Sequence, residues 1–199
     1  MGSGSLQSRW RVAAGFQTRK GVETRPDGTH LLLQIRDFDE SRTAVDPSAL
    51  ARISPQGVEP DACLSSGDVL FLAKGARNFA YAVGDLPSPV LAASYFFVLR
   101  PDPGVSARYL AWFLNQDSAR RHFVRLATTG AHMPVVRRDV LENLELPVPP
   151  VETQQKIVEL AALADEQQRL LADLGERKKL LATAACLRVA NESITNQDD

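Results

Sequence analysis

Beyond residue 150 the chain carries one continuous helical pattern. Apolar residues recur at three- and four-residue steps from Ile157 to Leu187, no proline occurs between Glu152 and Asn191, and only Gly175 interrupts strong helix formers such as Gln154, Gln155, Lys156, Leu160 and Ala161. The start is punctuated by Leu146-Pro-Val-Pro-Pro150. Pro149 and Pro150 lack amide donors and fix φ, which suits a helix start and not its interior, and Glu152 favours the positive end of the helix dipole. With Ile157 as heptad position a, Ala164, Leu171, Lys178 and Ala185 follow at a, and Leu160, Gln167, Leu174, Leu181 and Arg188 fall at d. Leu163, Leu170 and Ala184 at g widen the stripe. Residues 152–189 would span roughly 57 Å, longer than a small domain is wide, so the stripe predicts a partner. Ile157, Leu160, Leu163, Leu170, Leu171, Leu174 and Leu181 are the expected contact residues. Polar Gln167, Lys178 and Arg188 in the seam suit a specified register or an interface shared with a larger partner. A helix folded back over its own domain is the competing reading.

Before the helix the period shortens. Residues 9–15 and 31–35 have strand character, separated by the turn signal Arg25-Pro-Asp-Gly28. Residues 46–49 (Asp-Pro-Ser-Ala) suit a short helical turn. A turn and an apolar strand follow in 64–73, then the small basic loop 74–78. Residues 79–83 and 90–99 are further strand candidates, 106–126 has helical spacing, 128–134 reads as a loop, 135–136 as a short strand and 138–143 as a short helix. These elements predict an α+β protein: a globular mixed α/β domain over 9–150 and a long C-terminal coiled-coil helix over 151–190. Residues 1–8 read as a disordered leader and 191–199 as a disordered tail.

Composition sharpens this picture in two places. Cys63 and Cys186 are the only thiols; they make no disulfide framework, which predicts a reducing cytoplasmic setting. His30, His122 and His132 do not complete a metal-ligand spacing with them, and no apolar run is long enough to span a membrane. The formal net charge of −1 hides an uneven distribution. Residues 71–138 hold Lys74, Arg77, Arg100, Arg108, Arg120, Arg121, Arg125, Arg137 and Arg138 against Asp85, Asp102 and Asp117, whereas residues 151–199 are net acidic. A basic body that meets a polyanion and an acidic helix that meets protein fit this division, although a solvated basic face would look the same.

Motifs for chemistry are missing. There is no Gly-rich dinucleotide or phosphate loop, no Gly-x-Ser-x-Gly elbow, and no Asn/Asp-Pro-Pro-aromatic signature of amino-methyltransferases. Asp37, Asp39 and Glu40 form a carboxylate cluster, but no lysine or further acid completes a nuclease site. The residues point to a binder. Lys74 and Arg77 can meet phosphates, and Arg77 and Asn78 have the groups for bidentate contacts to guanine and adenine edges. In a second loop, Thr128, Thr129, His132, Arg137 and Arg138 offer donors around Gly130, which permits close backbone approach. Phe79, Tyr81, Tyr95, Phe96 and Phe97 read as core rather than as stacking platforms.

The order of these pieces resembles the specificity subunit of type I restriction-modification enzymes. The resemblance is carried by Leu64-Ser-Ser-Gly-Asp-Val-Leu-Phe71, Lys74-Gly-Ala-Arg-Asn78, Tyr95-Phe-Phe-Val-Leu-Arg100, Tyr109-Leu-Ala-Trp-Phe-Leu-Asn115, Thr129-Gly-Ala-His-Met-Pro134, and the helix start Leu144 to Ile157 with its Pro-Pro and Gln-x-x-Ile. Gly15-Phe-Gln-Thr-Arg-Lys20 and Gln34-Ile-Arg-Asp-Phe-Asp39 also fit the start of a target recognition domain. The resemblance implies a non-catalytic subunit that reads double-stranded DNA and docks methyltransferase subunits on its long helix. S-adenosylmethionine and ATP would belong to the methyltransferase and to a restriction/translocase subunit, with no cofactor in this chain. The family generally carries two recognition domains and two helical regions, and this sequence has one of each. The departure implies a homodimer through the helix, reading an interrupted palindrome. A specificity-like regulatory protein that binds methyltransferase subunits without reading DNA is the alternative.

Overall fold

The computed structural model describes residues 9–17, 23–59, 61–75, 77–87, 89–126 and 135–195, with side chains through Ala190. The strands are β1 (Trp10–Ala14), β2 (His30–Leu33), β3 (Ala51–Ile53), β4 (Val69–Leu72), β5 (Ala80–Ala82), β6 (Val90–Ala92) and β7 (Phe96–Pro101). They form an antiparallel sheet of order β1-β7-β4-β5 and a three-stranded sheet of order β3-β2-β6, in which β2 pairs antiparallel with β3 and parallel with β6. The helices are α1 (Ala107–Leu114), α2 (Asp117–Leu126), α3 (Arg138–Glu142) and α4 (Val151–Thr195). Sheets plus helices with a long C-terminal helix make the α+β architecture that the periodicities predict.

Strand β4 is buried at every position because both its faces are covered, which is why its sequence is a continuous apolar run rather than an alternation. Val69 and Phe71 pack with Trp10, Leu99, Leu110, Leu114 and Phe123 against the helices; Leu70 and Leu72 pack with Leu33, Phe79, Phe96 and Val98 on the other face. The register Val69↔Leu99 and Phe71↔Phe97 fixes which residues face which side. The turn before β4 is built by Asp68, whose carboxylate accepts from the Ser65 amide at 3.0 Å and meets Arg100 at 3.5 Å. Burial pushes the Asp68 carboxyl up, against the lowering effect of these two partners.

Two predicted elements are divided. Residues 90–99 form two strands in different sheets, because a turn with Phe96 N–H donating to the Ala93 carbonyl at 3.0 Å carries the chain across. Gly15 crosses at the same place: its amide donates to the Phe96 carbonyl at 2.9 Å, and a Cβ there would lie 2.2 Å from the Ala93 carbonyl oxygen. Residues 106–126 form two helices broken at Asn115. The Asn115 side chain accepts from the Ala80 amide at 2.9 Å and donates to the Ala80 carbonyl at 2.8 Å, so it completes β5 at the edge of its sheet. An unpaired strand edge needs such partners, and Asn115 supplies them from the end of α1.

The chain divides into two compact units, Met1–Gln155 and Lys156–Asp199. The first turn of α4 therefore belongs to the domain. Gln154, fully buried, accepts from the Ser106 amide at 2.8 Å and donates to the carbonyls of Gly104 (2.7 Å) and Pro149 (2.8 Å). Tyr109 adds a bond to the Pro147 carbonyl at 2.8 Å, and Pro150 accepts the first helical amides, from Thr153 and Gln154. The second unit is the remainder of α4, which runs to Thr195, past the expected end at 190. The whole helix has 45 residues, or about 68 Å of rise.

Candidate nucleic-acid interface

The first predicted loop sits at the end of β4. Ala73 donates to the Tyr95 carbonyl at 2.9 Å and accepts from Val136 at 2.9 Å, and Lys74 forms a bridge with Val135. Gly75 then turns with φ +140, which favours glycine. Lys74 and Arg77 are exposed. Asn78 is half-buried, and its amide donates to the Leu72 carbonyl at 2.8 Å, closing the loop where Leu72 N–H meets the Phe79 carbonyl at 2.9 Å. Its donor group works within the fold.

The Lys74–Val135 bridge brings the second predicted segment beside the first. Thr129 and His132, with Thr128 and Gly130, lie outside the described residues. Arg137 forms a two-pronged pair with Asp139, at 2.8 and 3.1 Å, and Arg138 pairs with Glu142 at 2.6 Å. Both guanidiniums thus share their charge with a carboxylate of α3. No salt bridge joins Lys74 or Arg77 to another described residue. Arg120, Arg121 and Arg125 are exposed on α2, whose Ala119 and Phe123 face the core.

The carboxylate cluster does not converge. The Asp37 carboxylate accepts from the Gln34 amide at 2.7 Å in a short 3-10 turn, Ile35–Asp37, and burial raises its pKa despite that bond and nearby Arg36. Asp39 organises the next loop. It accepts from the Ser41 hydroxyl, the amides of Thr43 (2.7 Å) and Ala44 (2.9 Å) and the Thr43 hydroxyl (3.2 Å). These donors, the Ser41 hydroxyl first, lower its pKa to about 2. Each acid serves its own turn, as a structural role requires.

Within that loop sits a residue the sequence did not single out. Arg42 donates to the Arg77 carbonyl at 3.0 Å and lies over the Phe79 ring, 4.9 Å from its centroid. No local pattern marks it, since its partners are 35 and 37 residues away. Phe79 and Tyr81 both pack edge-on against Phe38 at 5.1 Å, Phe79 and Phe96 meet at 6.1 Å, and Tyr95 lies 5.1 Å from Phe96, so these rings belong to the core, and Phe79 carries Arg42. Among the described residues no group of His, Cys, Asp or Glu could hold a metal, and no helix is long and apolar enough to cross a membrane. Cys63 and Cys186 are free thiols.

The model of the type I restriction modification DNA specificity domain matches residues 61–170, which include the Lys74–Asn78 loop, Gln154 and the first part of α4. The chain belongs to this family, which serves DNA recognition and is not catalytic. Solved structures share the fold. The HsdS subunit from Thermoanaerobacter tengcongensis superposes with a TM-score of 0.56 at 21% identity, over 90% of this chain and 49% of that one. A chain from a structure describing complex assembly and conformational transition of the type I R-M system gives 0.54 at 20% identity, over 85% of this chain and 41% of that one. The chain thus spans less than half the length of either. No curated protein matches it.

Proposed function

We propose that the chain is a sequence-recognition subunit of a type I restriction-modification system, directing adenine methyltransferase and restriction subunits to a bipartite DNA target. It acts as a homodimer through α4, each domain reading the same half-site of an interrupted palindrome. The observation that carries the pairing is the exposure of the helix's large apolar residues. Leu160, Leu163, Leu170, Leu171, Leu174 and Leu181 are 47–73% exposed. Contiguous apolar surface of this kind marks an interaction site.

Charge supports an antiparallel arrangement. The first half of α4 carries Glu152, Glu159, Asp165, Glu166 and Asp173 against Lys156 and Arg169; the second carries Arg177, Lys178, Lys179 and Arg188 against Glu176 and Glu192. Antiparallel copies set the acidic half of one against the basic half of the other, and a parallel pair sets like against like. Two-fold symmetry in the protein then implies two-fold symmetry in the target. On the recognition face, Lys74 and Arg77 supply charge that no described carboxylate shares, and Asn78, Thr129, His132, Arg137 and Arg138 complete the expected contact set.

Two measurements test this reading. Light scattering on the chain, alone and with its methyltransferase, should give a mass containing two copies. Methylation-sensitive sequencing of DNA from cells carrying both proteins should reveal a modified, interrupted palindrome. A single copy at working concentration, or an asymmetric modified sequence, would overturn the symmetric dimer; no sequence-dependent modification would overturn DNA recognition itself.

A further inference from the structure

We infer that Arg42 is a positioning residue for DNA recognition, holding the Arg77 peptide so that the Arg77 side chain is presented to the nucleic acid. The inference rests on the functional reading above and names a part of its machinery.

The two loops involved come from different sheets. Loop 39–44 follows β2 of the three-stranded sheet, and loop 73–79 joins β4 to β5 of the other. Their junction is the bond from the Arg42 guanidinium to the Arg77 carbonyl at 3.0 Å. Closing the 73–79 loop does not require it, because Asn78 and the Leu72–Phe79 backbone pair already do so. What the bond adds is the orientation of one peptide, that of Arg77.

The approach of Arg42 is fixed from three sides. Its backbone has φ 60, the left-handed region; among the described residues no other non-glycine has a positive φ. Residues held there against their preference cluster at functional positions. Asp39, with its four donors, keeps the loop in that form. Phe79 supports the guanidinium face from below, and the ring is itself held by Phe38 and Phe96.

Electrostatics points the same way. Arg42 meets the loop that carries Lys74 and Arg77, and none of the three has a salt bridge to another described residue. Cations with no carboxylate partner are available to an anion, and a phosphate backbone supplies it. Arg137 and Arg138, with carboxylate partners on α3, are not poised in this manner.

The test uses the full chain with its methyltransferase. Duplexes with randomised positions are selected by the wild-type complex and sequenced, and affinities for the selected and a scrambled duplex are compared for R42G, R42K, R77A and R42G/R77A. Glycine suits the left-handed backbone, so R42G removes the guanidinium and keeps the loop conformation. R42G is expected to leave the thermal midpoint unchanged and to lower the preference for the selected duplex about tenfold, as R77A does. The double variant should be no worse than R77A alone, the signature of one residue acting through another. R42K should recover part of the loss, because an ammonium can reach the same carbonyl. An unchanged preference in R42G and R42K, or losses that multiply in the double variant, would overturn the inference. If the wild-type complex selects no sequence, the functional reading fails first and takes this inference with it.

Discussion

Leucines do opposite things in the two units of this chain. Leu70, Leu99 and Leu110 in the domain are 0% exposed, whereas Leu160, Leu163 and Leu181 on α4 are 69–73% exposed. The residue type is the same, so the difference lies in the layers available. In the domain, two sheets and three helices cover one another and bury apolar clusters on both faces of β4. A single helix has no second layer of its own, and its stripe is left open. One unit buries its leucines within the chain, and the other leaves them exposed, which is the surface the proposed dimer uses.

Five substitutions and one pH experiment, which uses a sixth, probe this contrast. Phe71→Ala removes the ring that meets Phe123 at 5.0 Å in the main core, and it should cost about 3–5 kcal/mol in chemical denaturation. A loss under 1 kcal/mol would show that β4 is not the joint of the two cores. Leu174→Lys should leave the domain's thermal midpoint unchanged and weaken self-association by about 3 kcal/mol, two leucines being lost per dimer. Equilibrium sedimentation reads this directly; an unaltered dimer would remove Leu174 from the interface.

Gln154→Ala acts where the two units meet in sequence. It strands the Ser106 amide and the Gly104 and Pro149 carbonyls, at a cost of about 1–3 kcal/mol, read by denaturation. A neutral result would mean water replaces the amide there. On the proposed DNA face, Arg77→Ala should lower discrimination between selected and scrambled duplexes by about 1–3 kcal/mol, and Arg137→Ala, whose guanidinium is shared with Asp139, by less. The reverse order in a competition assay would move the reading surface to the second segment.

The smallest effect concerns acid. The folded pKa of Asp39 is depressed to about 2 from 3.8, so its contribution is present above 3.8 and lost as pH falls through about 2. Amide exchange at Thr43 and Ala44 should therefore keep its protection factor from pH 7 to pH 4.5, and Asp39→Asn should reduce protection at both. Loss of protection already at pH 4.5 would show that Asp39 does not organise the loop.

The same contrast separates what could be read in order along the chain from what could not. The Pro149-Pro150 start and the proline-free heptads determined α4, because capping and periodicity are local. The apolar run at 69–72 and the turns at 25–28 and 64–68 likewise announced their elements. The basic loop at 74–78 was legible as a candidate site, since its charge and its glycine are contiguous. Tertiary structure decided the rest. That residues 90–99 split between sheets, that Asn115 completes β5 from the end of α1, that Asn78 points its donor inward and that Arg42 reaches Arg77 all follow from partners brought close by topology. Such bonds carry no local signal, because what satisfies a polar group is set by where the chain returns and not by its neighbours in sequence.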